Sequence, residues 1–152
     1  MEKFHIKKIA IFSKKDLKVE KSFLLNLISF LKKENKSVFV DENTAAIIER
    51  LDIDSLPREK LAKSCDLIIT LGGDGTLISG SHFLENKKVL FLGVNFGRLG
   101  FLTEIKNTNL LCDDLKRIFD GKYFLDERSM LRITIYREAK KIDTFLALNE
   151  AV

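Results

Sequence analysis

Two cysteines, two histidines and a single proline in 152 residues leave little room for several kinds of chemistry. Cys65 and Cys112 have no partner spacing that suggests zinc or a redox pair, so both read as buried or idle thiols. His5 and His82 stand alone, without the company a metal centre needs, and no metal ligand is assigned to the chain. No apolar run approaches a membrane span, and Met1-Glu2-Lys3-Phe4-His5 lacks a signal peptide's apolar region. The expected compartment is therefore the cytoplasm, with no membrane partner. The net charge of +4 gathers in the amino-terminal lysines Lys3, Lys7, Lys8, Lys14, Lys15, Lys18 and Lys21. No stacking aromatics interleave with them, so they read as a solvated rim and not as a nucleic-acid site. What remains is 45% hydrophobic and 32% charged, ordinary for a globular chain, with 12 Phe residues expected mainly in the core.

Apolar runs and helical periodicities alternate through the first four-fifths of the chain. Ile9-Ala10-Ile11-Phe12 reads as a first strand, and Phe23, Leu24, Leu27, Ile28 and Leu31 mark one helical face between Glu20 and Lys33. Ser37 to Asp41 is a second strand, the stretch from Glu42 to Leu51 a short helix, and Pro57 a helix start. Asp66 to Ile69 and Val89 to Val94 are buried strands, separated by a helix expected over Thr76 to Leu84. Asn107 to Phe119 is a further helix, with Gly121 as its C-cap. This order predicts an α/β fold: a Rossmann-like parallel sheet with flanking helices, over residues 1–124. From 125 to 152 the pattern changes to two strands, Ser129 to Arg137 and Ile142 to Glu150, joined by Glu138-Ala139-Lys140-Lys141. That hairpin marks a shift from α/β to all-β near residue 125.

The densest chemistry lies where the third strand ends, at Thr70-Leu71-Gly72-Gly73-Asp74-Gly75-Thr76. Glycines there let backbone N–H groups approach a ligand, and a helix start after them suits anions. A carboxylate repels phosphate, so Asp74 is better matched to a hydroxyl or a metal. No lysine follows the glycines, which excludes a P-loop, and their spacing does not fit Gly-x-Gly-x-x-Gly. A plain tight turn remains the bland alternative.

The next strand runs into Asn95-Phe96-Gly97-Arg98-Leu99-Gly100-Phe101-Leu102-Thr103, and the chain closes on Leu148-Asn149-Glu150-Ala151-Val152. Together with Gly-Gly-Asp-Gly-Thr and Glu127-Arg128-Ser129-Met130-Leu131, these segments resemble the NAD kinase family. The resemblance implies transfer of the γ-phosphoryl group of ATP, or of polyphosphate, to the 2′-hydroxyl of the adenosine ribose of NAD. It implies Asp74 as the catalytic group, with Asp74, Gly75, Phe101, Asn149 and Glu150 contacting NAD. Phosphate contacts are expected at Gly72, Gly73, Thr76, Asn95 and Arg98, with Mg²⁺ accompanying the donor and an oligomer in the complete enzyme. Departures are visible too. Leu77-Ile78-Ser79-Gly80 lacks the basic residue often found one turn into that helix, and Phe96 is bulkier than usual for its slot. The family's later substrate segment and second acidic residue are absent, so on the resemblance the chain reads as an amino-terminal portion: a phosphofructokinase-like α/β unit over 1–124 and the beginning of an incomplete β-rich domain over 125–152. A lipid or sugar kinase sharing Gly-Gly-Asp-Gly, or a nucleotide-binding module without catalysis, stays open as an alternative.

Overall fold

The computed structural model describes residues 4–49, 52–84, 88–97, 100–105 and 108–148. The apolar runs become four parallel strands, β1 (Lys8–Ser13), β2 (Ser37–Val40), β3 (Leu67–Gly72) and β4 (Leu90–Asn95), in the order β2-β1-β3-β4. The two central strands are almost wholly buried, as expected of parallel strands covered on both faces. One face packs under α1 (Lys21–Lys33), α2 (Glu42–Ile48) and α5 (Leu111–Phe119), using Ile9, Ile11, Leu24, Leu31, Ile69 and Leu115. The other face carries Ala10, Phe12 and Ile68 against Leu61 and Ala62 of α3 (Arg58–Ser64) and the end of α4 (Asp74–Ser81). Each fully buried leucine or isoleucine stabilises the fold by roughly 1.5–3 kcal/mol, and these layers are dense in them.

Several helix boundaries differ from the sequence expectation: α2 ends at Ile48 and α4 at Ser81, each three residues early, and two helix starts shift for a plain local reason. Pro57 is the N-cap of α3 and not its first helical residue: its ψ of 142° keeps it extended, and the helix begins at Arg58. α4 begins two residues earlier than expected, at Asp74. Gly73 is extended, with φ −114° and ψ −169°, and its carbonyl accepts from the Thr76 amide at 2.9 Å. Asp74 thus enters the first turn, where a negative charge complements the helix dipole. The expected helix after Asn107 resolves into a 3₁₀ turn, Thr108–Leu110, leading into α5. Gly121 terminates that helix in the left-handed region, at φ 81°.

The carboxyl-terminal strands pair as an antiparallel two-stranded sheet, β5 (Leu131–Arg137) and β6 (Lys140–Ala147). The turn is shorter than the four residues expected. Only Glu138 and Ala139 connect the strands, and both have positive φ (49° and 61°), the geometry that matches hairpin twist. A register shift after Ile135 leaves Ile142 without a cross-strand partner. Leu131, Ile135, Tyr136, Ile142 and Phe145 are exposed on this sheet. Isolated hairpins are marginal and their free edges recruit other chains. The 152-residue chain is therefore expected to self-associate, whereas one trimmed to residue 122 elutes as a monomer in sizing chromatography. A monodisperse 152-residue monomer would show that the hairpin is adequately covered.

Candidate active site

Strand order decides where a ligand can sit. β1 connects outward to β2 while β3 and β4 lie on its other side, so the topological switch falls between β1 and β3. Crevices of open α/β sheets form at the carboxyl ends of strands beside such a point. The Gly-Gly-Asp-Gly turn leaves β3 there, and the Lys14 amide, leaving β1, donates to the Leu71 carbonyl at 2.8 Å. Gly72 sits at φ 156°, and a Cβ added there would lie 2.3 Å from Thr76 Oγ1 and 3.0 Å from Lys14 Cβ. Gly73 and Gly75 face open space, since a Cβ on either meets nothing within 4 Å.

Asp74 is held by the segment that follows β4. The Phe101 amide donates to Asp74 Oδ2 at 2.7 Å. Oδ1 accepts from the amides of Leu102 at 3.2 Å and Thr103 at 3.1 Å, and from the Thr103 hydroxyl at 3.0 Å. Gly100 makes this possible, because a Cβ at that position would fall 2.1 Å from Oδ1. Partial burial pushes the Asp74 carboxyl upward. The opposing hydrogen bonds from the Phe101 amide, the Thr103 hydroxyl, and the Leu102 and Thr103 amides together outweigh it, holding the carboxyl below its ordinary value. Asp74 is thus an anion at neutral pH. The stability this contributes is present above the ordinary carboxylate range and is lost as pH falls through the lower folded value.

The other expected site residues are distributed unevenly. Phe101 is 99% exposed beside Asp74, a free aromatic face and not a core phenylalanine. Phe124, 97% exposed, and Phe145, half exposed on the hairpin, are further exceptions to the expected burial of phenylalanines. Thr76 and Asn95 are buried. The Asn95 carboxamide accepts from the Gly97 amide at 2.8 Å and donates to Thr103 Oγ1 at 3.1 Å, so internal partners hold it where a phosphate contact is expected. Phe96, unusually bulky for its slot, packs edge-on against Phe23 of α1 with centroids 5.4 Å apart. Arg98, Asn149 and Glu150 lie outside the described residues.

Three residues escape the sequence reading. Thr103 is one, visible only once it is seen to touch Asp74. Lys14 and Lys15, assigned to a solvated rim, are exposed on the loop that abuts the glycine turn. The strand order, which adjacency in sequence does not reveal, brings them there. As to a metal, no cluster of three His, Cys, Asp or Glu side chains among the described residues could hold one. Asp74 could offer a metal only Oδ2, because three of its four N–H and O–H donors converge on Oδ1. No step is therefore routed through a metal on these residues.

Residues 8–123 match the family model described as the ATP-NAD kinase N-terminal domain. The chain is 42% identical over 129 residues to the NAD kinase of Saccharophagus degradans, covering 85% of this chain and 44% of that protein. It is 34% identical to the NAD kinase of Solibacter usitatus, covering 97% of this chain and 50% of the relative. The chain thus spans half, or slightly less, of the length of these relatives. Among solved structures, a yeast NADH kinase complexed with NADH superposes with a TM-score of 0.79 at 20% identity, over 95% of this chain and 47% of that one. An NAD kinase from Archaeoglobus fulgidus in complex with ATP gives 0.55 at 21% identity, over 84% and 40%. These two likenesses speak to the fold alone. The family model extends over most of the chain and takes in both glycine-bearing strand ends, and by that measure the chain belongs to the NAD kinase family.

Proposed function

We propose that the protein containing this chain phosphorylates the 2′-hydroxyl of the adenosine ribose of NAD, with ATP as donor, to give NADP. The observation that carries the reading is Asp74: a carboxylate held as an anion at a strand's carboxyl end, with Oδ2 engaged by a single donor among the described residues. In this scheme the ribose oxygen attacks the γ-phosphorus, its proton passes to Asp74 Oδ2, and ADP leaves. A carboxylate held below its ordinary pKa is a weak base. Phosphoryl transfer tolerates this, because its loose transition state relies on positioning and charge stabilisation more than on prior deprotonation.

The rest of the site is assigned accordingly. Gly73 and Gly75 line the phosphate path with backbone that no side chain covers, and Lys14 and Lys15 supply positive charge beside it. Phe101 offers its exposed ring to the adenosine. Any Mg²⁺ would arrive on the donor's phosphates, as small hard cations often do. Asn149 and Glu150 are proposed as further NAD contacts on the family resemblance.

The test is an acceptor and donor panel with the complete gene product. NAD is expected to be phosphorylated, and sphingosine, diacylglycerol and fructose 6-phosphate are not. Because the donor is gripped here through backbone and charge, with no base-reading group among the described residues, ATP and GTP are expected to give comparable rates, and polyphosphate measurable ones. Strict dependence on ATP would mean that a purine pocket lies elsewhere in the protein. Phosphorylation of a lipid or sugar in place of NAD would overturn the assignment.

A further inference from the structure

We propose that Thr103, braced by Asn95, is a positioning residue that divides the Asp74 carboxylate into a held oxygen and a working one. The inference rests on the phosphoryl-transfer reading above and adds residues to it. A carboxylate oxygen has two lone pairs, yet Oδ1 receives three donors: the Leu102 amide, the Thr103 amide and the Thr103 hydroxyl. It is saturated. Among the described residues Oδ2 receives the Phe101 amide alone, at 2.7 Å, and keeps a lone pair for an incoming hydroxyl. The working atom is therefore Oδ2, on the side of the exposed Phe101 ring.

The direction of the hydroxyl proton is set from behind. The Gly97 amide donates to Asn95 Oδ1 at 2.8 Å, which turns the Asn95 amino group toward Thr103 Oγ1, 3.1 Å away. Having accepted that bond, the Thr103 hydroxyl spends its own proton on Asp74 Oδ1 at 3.0 Å. Every donor in the chain points toward the carboxylate, and charge-assisted bonds of this kind are the strong ones. The space for it is cut by Gly93 in β4, where a Cβ would lie 2.8 Å from both Thr103 Cα and Cγ2. Thr103 is 2% exposed, so water cannot readily replace its hydroxyl.

Thr103→Val keeps the shape and removes the hydroxyl, and Thr103→Ser keeps the hydroxyl. The titration midpoint of the Asp74 carboxyl carbon, followed by NMR in the isotope-labelled complete gene product, is expected to rise in Thr103→Val and to stay near the unmodified value in Thr103→Ser. Apart from Asp74, neither α4, β3 nor β4 carries an ionisable side chain. The charged described residues on the adjoining loops are Lys14, Lys15, Asp16, Lys18 and Glu20 after β1 and Glu104 after β4, none of which is altered. In the complete gene product, Thr103→Val is expected to lower kcat roughly tenfold or more, with KM for NAD little changed, and Thr103→Ser to recover most of it. A Thr103→Val protein with unchanged midpoint and kcat, and only a lower melting temperature, would make Thr103 a plain tether and overturn the proposal. Failure of the unmodified product to make NADP would overturn the function reading instead, and the carboxyl titration would still decide whether Thr103 sets the Asp74 anion.

Discussion

Asp74→Asn in the complete gene product is expected to cut the turnover of NADP formation by roughly 10²–10⁴-fold, the range that a positioned proton acceptor contributes. The hydrogen bonds say how the substituted side chain settles. Its one carbonyl oxygen should take the place of Oδ1, where three donors converge, leaving the amino group in the place of Oδ2, facing the Phe101 amide. Two donors then oppose one another, and the oxygen that would accept the ribose proton is gone. The fold and most nucleotide binding should persist, since the sheet does not depend on this contact. NADP production under saturating NAD and ATP measures the loss. In an NMR spectrum the Phe101 amide should shift while those of Leu102 and Thr103 hold. A loss below tenfold would remove Asp74 from the catalytic role.

A larger effect on stability is expected two strands away, at Asp41, across β1. This carboxylate is 1% exposed and caps α2, yet it serves more than the helix. Oδ1 accepts from the Ser13 amide at 3.2 Å, the Thr44 amide at 2.9 Å and the Thr44 hydroxyl at 2.5 Å. Oδ2 takes Arg58, through Nε at 2.8 Å and through a terminal nitrogen at 2.7 Å. The same guanidinium donates to the Ser13 carbonyl at 2.5 Å and to Ser79 Oγ at 3.1 Å, and lies over the Phe12 ring. One ion pair thus ties the exits of β1 and β2 to α3 and α4. Asp41→Ala strands a largely buried guanidinium and several donors, and breaking a buried pair in this way costs about 3–5 kcal/mol. Urea unfolding should show the midpoint falling by roughly 1 M or more. Glu49→Ala, which removes an exposed partner of Lys21, should cost under about 1 kcal/mol. Equal effects for the two variants would show that the Arg58 pair is solvated and weak.

Periodicity carried the architecture because burial in a parallel sheet leaves a plain trace. The uninterrupted apolar runs at Ile9–Phe12 and Leu67–Ile69 can satisfy themselves only with helices on both sides, and the structure places them at the centre. Helix boundaries were less legible. Whether Asp74 or Thr76 opens α4 depends on the extended backbone of Gly73, a conformation that glycine's sequence identity permits without requiring. The two-residue hairpin turn was hidden for a related reason, since Glu138 and Ala139 are not residues that advertise positive φ.

For the site, the sequence by itself determined the chemistry: a carboxylate among glycines where a buried strand ends, and an aromatic after a second glycine segment. Tertiary structure alone decided which groups meet. Asp74 and Thr103 stand 29 positions apart, and neither the spacing nor the composition says that one will hold the other. They meet because β3 and β4 pair in register, Gly72 opposite Asn95, so both strands discharge their loops at the same edge. Lys14 arrives at that edge from β1 by the same rule. Side-chain identity fixes what a residue can donate or accept, but only the pairing of strands distant in sequence brings donor and acceptor within three ångströms.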